Sequence, residues 1–418
     1  MEAFDLVVVG EVCLDIFEGA PSPRPGGAFY SAYAGSKLGA KTAILGHMGQ
    51  GNEKEILPIL RDLQINYTYL QRVPGPTTHY ILRHVDEVLP LTANVKKNLY
   101  PVLVPHKYPR SKIVLFYPCP NLDYHLNQWP NAIKGLDVQY ELNLIKQLEY
   151  LCNLDVVFIS SSDVCSKTGK TVSQLVEFFF NKGVGLVVTK FGPGGSSIYQ
   201  RGKGERIDIP AFKSNYKWTV GAGDIYNAVF LLEYNRTGNL ERAGRFASLA
   251  SANFIEQFEL DDLPWSYDEL VAKGRIEQFM HPEQAGEVNI YLAGPFFSQG
   301  EKTLVSYTYH ALKKCGFNVY SPWHEQGVIK GIEQSFKTFK NNVLALESAS
   351  AVVALLDYED PGTVWECGYA KAKGIPIYAL QTLENKLNLM VEFGVELICP
   401  SLRCLIDCLY LEFARVRK

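Results

Sequence analysis

The fold class of this chain is decided near its C-terminal end, where residues 351–366 read AVVALLDYEDPGTVWE. The apolar run 351–356 is short and contains β-branched residues, which is typical of a buried parallel strand. Pro361 and Gly362 interrupt the strand, and Thr363 is predicted to begin a helix. Acidic side chains at the carboxyl end of such a strand face the crevice in which open α/β sheets bind ligands. The pattern therefore predicts an α/β fold with a ligand site at this point.

The carboxylates of this stretch can be interpreted in two ways. Thr363 and Glu366 have the spacing of a capping box, in which Glu366 would only close the helix N-terminus. Alternatively, Asp357, Glu359 and Asp360 crowd negative charge around Glu366, which would raise at least one pKa and supply a general acid. A helix N-terminus would favour the ionised form of Glu366 and suit it as a nucleophile.

Two further motifs flank this stretch. Residues 288–297 read VNIYLAGPFF, a predicted strand that ends in a turn of small residues, and residues 386–395 read KLNLMVEFGV. In this order, the three motifs resemble the nucleoside 2-deoxyribosyltransferase family over roughly residues 287–400. Cleavage of an N-glycosidic bond passes through an oxocarbenium-like state that a carboxylate can trap while a second acid assists the leaving group.

The resemblance implies a role for each matching residue. Glu366 would be the nucleophile that holds the sugar as a covalent ester, Asp360 would bind and protonate the base, and Tyr291 would orient Glu366. Asn388 would reach the sugar, typically from a neighbouring subunit, so a homo-oligomer is expected. The resemblance implies no cofactor for this domain. Further expected substrate contacts are Gly294, Phe296, Asn342, Asp357 and Met390.

Three points about this domain stay open at the level of sequence. A family aspartate falls on Asn342, so the base contacts would differ. Relatives transfer the sugar to a second base or let water complete a hydrolysis. A nucleoside 5'-monophosphate N-glycosidase is the remaining alternative, and Ser298 is the one nearby serine that could bind its phosphate.

The N-terminal half has its own chemical centre, residues 218–228, which read WTVGAGDIYNA. Glycines followed by a helix expose backbone N–H groups to an anion, such as a transferring phosphate. Asp224 beside that anion hole could accept a proton from an attacking hydroxyl. A single motif of this kind is weak, because glycine turns before helices are common.

Together with Asp15, the Gly26–Gly27 pair and the turn at 189–194, this motif resembles the ribokinase-like (PfkB) sugar and nucleoside kinases over roughly residues 4–258. The resemblance implies that Asp224 is the catalytic base and that Asp15, Gly26 and Gly27 touch the sugar. It also implies ATP and Mg2+ as cofactors. The expected nucleotide-binding residues are Gly192, Gly194, Gly221, Ala222 and Gly223.

The kinase-like half departs from the family pattern at three places. Trp218 replaces the first aspartate of the usual DTTGAGD motif, the asparagine expected after the double glycine is Ser31, and the magnesium-organising NxxE motif falls on Ser160–Asp163. Loss of such groups weakens the electrostatics on which phosphoryl transfer depends. A catalytically weak nucleotide- or sugar-sensing or assembly module is therefore the alternative to an active kinase.

The length of 418 residues predicts two or three domains. We expect a ribokinase-like three-layer α/β domain at 1–260, a partly helical connection at 261–286, and a smaller flavodoxin-like or Rossmann-type parallel-sheet domain at 287–418. Trp323–Glu325 is expected in a loop. The apolar stripe of a C-terminal helix at 402–417, formed by Leu405, Leu409 and Phe413, would pack on a domain or a partner.

Composition excludes several function classes. A hydrophobic content of 47% and a net charge of -3 describe an ordinary globular protein without an electrostatic reason to bind nucleic acid or an anionic membrane. No signal peptide or membrane-length apolar run is recognised, so a cytoplasmic location is expected. The nine cysteines are scattered. Cys404 and Cys408 lie four residues apart without a histidine at metal-site spacing, so reduced thiols and no metal site are expected.

Overall fold

The computed structural model describes residues 2–17, 23–82, 101–102, 104–139, 145–160, 169–215, 217–257, 260, 265–326, 332–358 and 360–415. It divides into two compact units, Met1–Phe279 and Met280–Lys418. This boundary falls inside the segment 261–286 that the sequence suggests as a connection.

The first unit is organised around a mixed sheet whose central strand is β1 (Ala3–Phe17). The other strands of this sheet are β2 (Arg24–Gly27), β3 (Thr42–Gln50), β4 (Leu70–Pro76), β5 (His79–Leu82), β6 (Arg110–Phe116), β7 (Ile133–Asp137), β8 (Val156–Ser160), β9 (Leu186–Lys190), β10 (Ser196–Gln200) and β11 (Arg206–Ile209). A separate two-stranded sheet consists of β12 (Ala211–Phe212) and β13 (Glu277–Gln278). The order is β11-β10-β9-β8-β7-β6-β1-β3-β4, with β2 and β5 both paired to β1. Neighbours from β4 to β9 in this order are parallel, whereas β10 is antiparallel to β9 and β11.

Helices cover both faces of this sheet. They are α1 (Ala28–Lys37), α2 (Glu53–Asp62), α3 (Leu122–Leu126), α4 (Val172–Asn181), α5 (Ala222–Thr237), α6 (Leu240–Phe254) and α7 (Tyr267–Ala272). Because successive strand residues point to opposite faces, Leu6 and Val8 join the core formed with α1, α5 and α6, while Val7 and Val9 join the core formed with α3 and α4. The unit is thus a three-layer α/β structure, as the sequence predicts.

Part of the expected connection is folded onto the first unit. The Trp265 ring packs edge-on against Tyr33, with ring centroids 5.6 Å apart, and its backbone N–H donates to Lys37 O at 2.9 Å. Strand β13 pairs with β12 through Ala211–Gln278 and Phe212–Glu277. These contacts are long-range in sequence, which is why residue composition alone suggests a linker.

The second unit contains a five-stranded, entirely parallel sheet in the order β15-β14-β16-β17-β18. Its strands are β14 (Asn289–Ala293), β15 (Asn318–Tyr320), β16 (Ala351–Leu355), β17 (Ile377–Leu380) and β18 (Leu397–Cys399). Its helices are α8 (Pro282–Ala285), α9 (Gln299–Lys314), α10 (Pro322–Gln326), α11 (Ile332–Glu347), α12 (Pro361–Ala372), α13 (Leu389–Glu392) and α14 (Leu402–Arg415). The chain order reverses between β14 and β16, so ligands are expected at the carboxyl ends of these two strands.

One local expectation is corrected. Trp323–Glu325 lies in the short helix α10 rather than in a loop. Leu405 and Leu409 on α14 are fully buried within this structure of a single chain, which agrees with packing on a domain, the first of the two expected alternatives. Among the described helices, none has the length and apolarity needed to cross a membrane.

Candidate functional site

The N-terminus of α12 decides between the two interpretations of Glu366. The helix begins at Pro361, and its N-cap is Asp360, whose Oδ2 accepts hydrogen bonds from Thr363 N at 2.9 Å and Thr363 Oγ1 at 3.1 Å. Glu366 therefore lies in the second turn, too far along the helix to close it. The capping-box interpretation is wrong for Glu366, because Asp360 already supplies the cap.

Glu366 is instead held by a residue of the neighbouring strand. Tyr291 on β14 donates its hydroxyl to Glu366 Oε1 at 2.5 Å. Burial, followed by the negative charge of Glu366, raises the pKa of Tyr291 well above its ordinary value, so the phenol remains a donor. Burial also raises the pKa of the Glu366 carboxyl to about 7, with Tyr291 opposing the shift and Asp360 adding to it. The expectation that a helix terminus would keep Glu366 ionised is wrong, because desolvation is the larger effect here.

The pair of Tyr291 and Glu366 forms one wall of a cavity of about 350 Å³. This volume lies within the range of small-molecule sites, roughly 300–1,000 Å³. Asn342, a predicted base contact, also lines the cavity, and its Oδ1 accepts a hydrogen bond from Tyr320 at 2.8 Å. Sequence reasoning missed the remaining lining residues, which are Phe339, Val343, Leu346, Gly362 and Trp365.

Asp357 is engaged in a structural role. Its Oδ1 accepts from the backbone N–H groups of Thr382 at 2.5 Å and Leu383 at 3.2 Å, and its Oδ2 accepts from Thr382 Oγ1 at 2.7 Å. The carboxylate therefore fixes the loop that follows β17, and both of its oxygens are used. Asp360 differs, because its cap uses Oδ2 and leaves Oδ1 outside the cap.

Four other predicted contacts are not among the residues that line this cavity. Gly294 comes directly after β14 and packs against Leu355, where a Cβ on Gly294 would lie 2.8 Å from Leu355 Cδ1. Phe296 packs against Trp323, with ring centroids 5.4 Å apart. Asn388 caps α13 by accepting from Met390 N at 2.9 Å, and the Met390 side chain is 77% exposed.

The first unit brings the predicted sugar contacts together. Asp15 on β1 is buried and faces β2, where a Cβ on Gly26 would lie 2.5 Å from Asp15 Oδ2. Gly27 has a φ of 62° and precedes α1, a conformation that favours glycine. The Tyr30 hydroxyl donates to Asp15 Oδ2 at 2.6 Å. Burial raises the pKa of Asp15 to about 6, and the bond from Tyr30 opposes that shift.

Asp224 lies in the first turn of α5, after Gly221 with its φ of 86°. Its Oδ1 accepts from the Tyr117 hydroxyl at 2.7 Å, and its backbone carbonyl accepts from Ser31 Oγ at 2.8 Å. A Cβ on Gly221 would lie 2.7 Å from the Tyr30 ring, so the predicted anion hole and the predicted sugar site adjoin. Burial and the charge of Asp137 raise the pKa of Asp224.

A cation beside the anion hole was not found by sequence reasoning. Lys190 ends β9, and its Nζ donates to Asp137 Oδ2 at 3.0 Å, to Asn227 Oδ1 at 2.9 Å and to Gly223 O at 3.4 Å. A lysine at a strand end gives no sequence signal that distinguishes it from a solvated surface residue. The predicted nucleotide contacts Gly192 and Gly194 form the 3-10 turn that follows β9.

Trp218, which replaces the family's first aspartate, is buried in a cluster of its own. Its ring stacks on Phe17 with centroids 4.2 Å apart, and the Arg24 guanidinium carbon lies 3.3 Å above the ring centroid. An aromatic side chain and a cation thus stand where a carboxylate is usual. Ser160 ends β8, and 161–163 of the predicted magnesium motif lie outside the described residues.

Comparison with known families and proteins agrees with this geometry. Residues 150–265 match the model of the pfkB family of carbohydrate kinases, and residues 290–397 match the model of nucleoside 2-deoxyribosyltransferase. A 5-dehydro-2-deoxygluconokinase of Lacticaseibacillus casei is 27% identical over 40% of this chain and 48% of its own length. A nucleoside kinase of Methanothermobacter thermautotrophicus is 38% identical over 23% of this chain and 28% of its own length. The chain thus spans half or less of the length of these two relatives.

Other relatives are matched over nearly their whole length. A 5-dehydro-2-deoxygluconokinase of Listeria innocua is 23% identical over 64% of this chain and 95% of its own length. The nucleoside kinase of Methanocaldococcus jannaschii and the ribokinase of Thermotoga maritima each give a TM-score of 0.53 at 20% identity. They cover 65% and 64% of this chain, respectively, and 98% of their own. The first unit therefore has a ribokinase-like fold, and the chain carries a pfkB-family kinase domain followed by a nucleoside 2-deoxyribosyltransferase-family domain.

Proposed function

We propose that the second unit cleaves the N-glycosidic bond of a nucleoside, with Glu366 as nucleophile. The observation that carries this proposal is the bond from Tyr291 to Glu366 Oε1 at the wall of the cavity. The bond leaves Oε2 to attack, and it holds the carboxylate of α12, the helix that follows β16, against the middle residue of β14.

The reaction proceeds in two displacements. Glu366 Oε2 forms a bond to the anomeric carbon while the carbon–nitrogen bond to the base breaks, and the base leaves with the bonding electrons and a proton from Asp360. Water or a second base then attacks the anomeric carbon and gives its proton to the Asp360 carboxylate, while the ester bond breaks to return the Glu366 carboxylate. Glu366 attacks in its ionised form, and burial raises its pKa to about 7. The reaction should therefore become faster as pH rises through about 7.

The cavity suits a planar base. Phe339 and Trp365 line it with aromatic surface, and Asn342 supplies an amide for hydrogen bonds. Ser298, the candidate phosphate ligand, is occupied: its Oγ accepts from Glu301 N, and Glu301 Oε2 accepts from Phe297 N and Ser298 N. A carboxylate at that helix N-terminus takes the place of a phosphate. A nucleoside is therefore favoured over a nucleoside 5'-monophosphate.

The test is incubation of the full chain with a panel of nucleosides and their 5'-monophosphates, with and without a second base, followed by chromatography of the released base. We expect release from nucleosides, and exchange when a second base is present. Intact-protein mass spectrometry after an acid quench should detect the sugar ester in the wild type and not in Glu366→Ala. Equal turnover by Glu366→Ala would refute the assignment.

For the first unit we propose ATP-dependent phosphorylation of a sugar or nucleoside hydroxyl. Asp224 lies in the first turn of α5, where the N–H groups of Gly221 and Gly223 could bind a phosphate, and the Lys190 ammonium lies next to Gly223. ATP would supply the phosphoryl group, and Asp224 would take the proton of the attacking hydroxyl. Mg2+ would organise the phosphates, but the residues expected to hold it lie partly outside the described chain.

A sensing role is the second candidate for this unit. The stack of Phe17, Trp218 and Arg24 favours it, because it replaces the carboxylate that the kinase motif usually carries. Isothermal titration with ATP and a radiolabelled transfer assay separate the two roles. ATP binding with phosphorylation supports the kinase, ATP binding without transfer to any sugar or nucleoside supports the sensor, and no binding contradicts both.

We also propose a homo-oligomer in which Asn388 completes the site of a neighbouring copy. Leu389, Met390 and Phe393, which follow Asn388, are all strongly exposed, and so are the cavity residues Phe339 and Trp365. In an isologous dimer the same surface patch of each copy contacts the other copy, so these exposed residues could be covered by a second copy of the chain. Inactive Glu366→Ala and Asn388→Ala proteins should regain activity when mixed, because one hybrid site is intact. Full activity of a monomer in light scattering would contradict the shared site.

A further inference from the structure

The edge of the second unit's sheet carries a cluster of three cysteines. Cys399 ends β18, while Cys404 and Cys408 lie on the first two turns of α14. The three sulfur atoms lie within 4.8 Å of one another, and this is the only such group of potential metal ligands found within the described residues. None of the three cysteines forms a disulfide.

The fold builds this arrangement from two elements. Residues four apart on a helix share one face, so Cys404 and Cys408 project side by side. Cys399 is fully buried and reaches them from the adjacent strand end. Ser401 Oγ accepts from Cys404 N at 3.2 Å, which fixes the turn between strand and helix.

We propose that Cys399, Cys404 and Cys408 bind a thiophilic cation, with Zn2+ as the representative ion. Zinc–sulfur bonds of about 2.3 Å in a tetrahedral site place the sulfurs about 3.8 Å apart, so only a small closure of the cluster is required. Thiolates select Zn2+ or Cu+ over hard cations such as Mg2+. The fourth position is open to water or to Glu412, which follows Cys408 by one helical turn.

A disulfide explains the cluster less well than a metal does. Cβ atoms four residues apart on a helix are about 5–6 Å apart, whereas a disulfide needs about 3.5–4.5 Å. Cys399 could therefore pair with one helix cysteine only, whereas all three sulfur atoms lie within 4.8 Å of one another. A metal ion uses all three sulfurs.

Binding of a divalent ion would replace the thiol protons of the cluster and release them. The ion would join the edge strand β18 to α14, beneath the loop whose Gln381 N–H donates to Cys399 O at 3.0 Å.

The test uses the full chain, reduced and stripped of metal with a chelator. Titration with Co2+ should give one equivalent per chain with thiolate-to-cobalt charge-transfer absorption, and Zn2+ should displace the Co2+ and raise the melting temperature. Cys404→Ser and Cys408→Ser should each weaken binding by at least about tenfold. Cys152→Ser, an exposed cysteine of the first unit, is the matched control and should bind as the wild type does.

Several results would overturn the proposal. They are the absence of a thiolate–cobalt spectrum, a melting temperature that Zn2+ leaves unchanged, or binding that survives both helix substitutions. Detection of a disulfide involving Cys399 by mass spectrometry of the protein isolated without reductant, together with no metal binding after reduction, would assign a redox pair instead. Because Cys399→Ser alters a buried position and could impair folding, the partly exposed Cys404 and Cys408 variants decide the outcome.

Discussion

Replacement of Glu366 by glutamine should stabilise the protein, and increasingly so as pH rises. The pKa of Glu366 is raised from 4.5 to about 7, chiefly by burial. At about 1.36 kcal/mol for each tenfold change in the ionisation constant, this difference corresponds to roughly 3 kcal/mol. Because the folded-state pKa lies above the unfolded one, stability is full below pH 4.5 and is lost as pH rises through about 7. Glutamine keeps the acceptor for the Tyr291 hydroxyl and cannot ionise.

The assay is urea unfolding of the wild type and Glu366→Gln at about pH 5 and about pH 8. Solving the linkage relation at these values gives a gain for the variant of about 1 kcal/mol at the lower pH and about 3 kcal/mol at the higher. Glu384→Gln, on an exposed loop of the same unit, is the control and should show almost no difference at either pH. The variant should also lose base release. Equal stability of Glu366→Gln and wild type at both pH values would refute the raised pKa of the Glu366 carboxyl.

Three further predictions follow from the same contacts. Tyr291→Phe removes the hydrogen bond that favours ionised Glu366, so the acidic limb of the kcat/KM profile should move to higher pH; Tyr369→Phe, whose hydroxyl bonds Glu347 elsewhere on the unit, should leave the profile unchanged. Asp224→Asn should abolish ATP-dependent phosphorylation while base release stays within about twofold, as measured by transfer of labelled phosphate. Leu409→Ala, at a fully buried position on α14, should lower the free energy of unfolding by about 2–5 kcal/mol, measured in urea, and leave the oligomeric state in light scattering unchanged. Dissociation without a loss of stability would instead place Leu409 in a subunit interface.

The sequence by itself determined the α/β class and the order of the two domains. Strands such as residues 351–356 carry continuous apolar runs, and Pro361 and Gly221 mark the points at which helices begin. These signals are local, so they survive without knowledge of the neighbours.

Only the tertiary structure decided which candidate side chains meet. Local spacing made Glu366 an equally good cap, and it was the position of Asp360 at the helix start and of Tyr291 on the next strand that gave Glu366 its environment. Likewise, the sequence shows Cys404 and Cys408 as a pair, and only the fold places a third cysteine, Cys399 at the end of β18, beside them. Burial, pKa and proximity arise from packing between segments far apart in the chain, and periodicity along a single sequence does not contain that information.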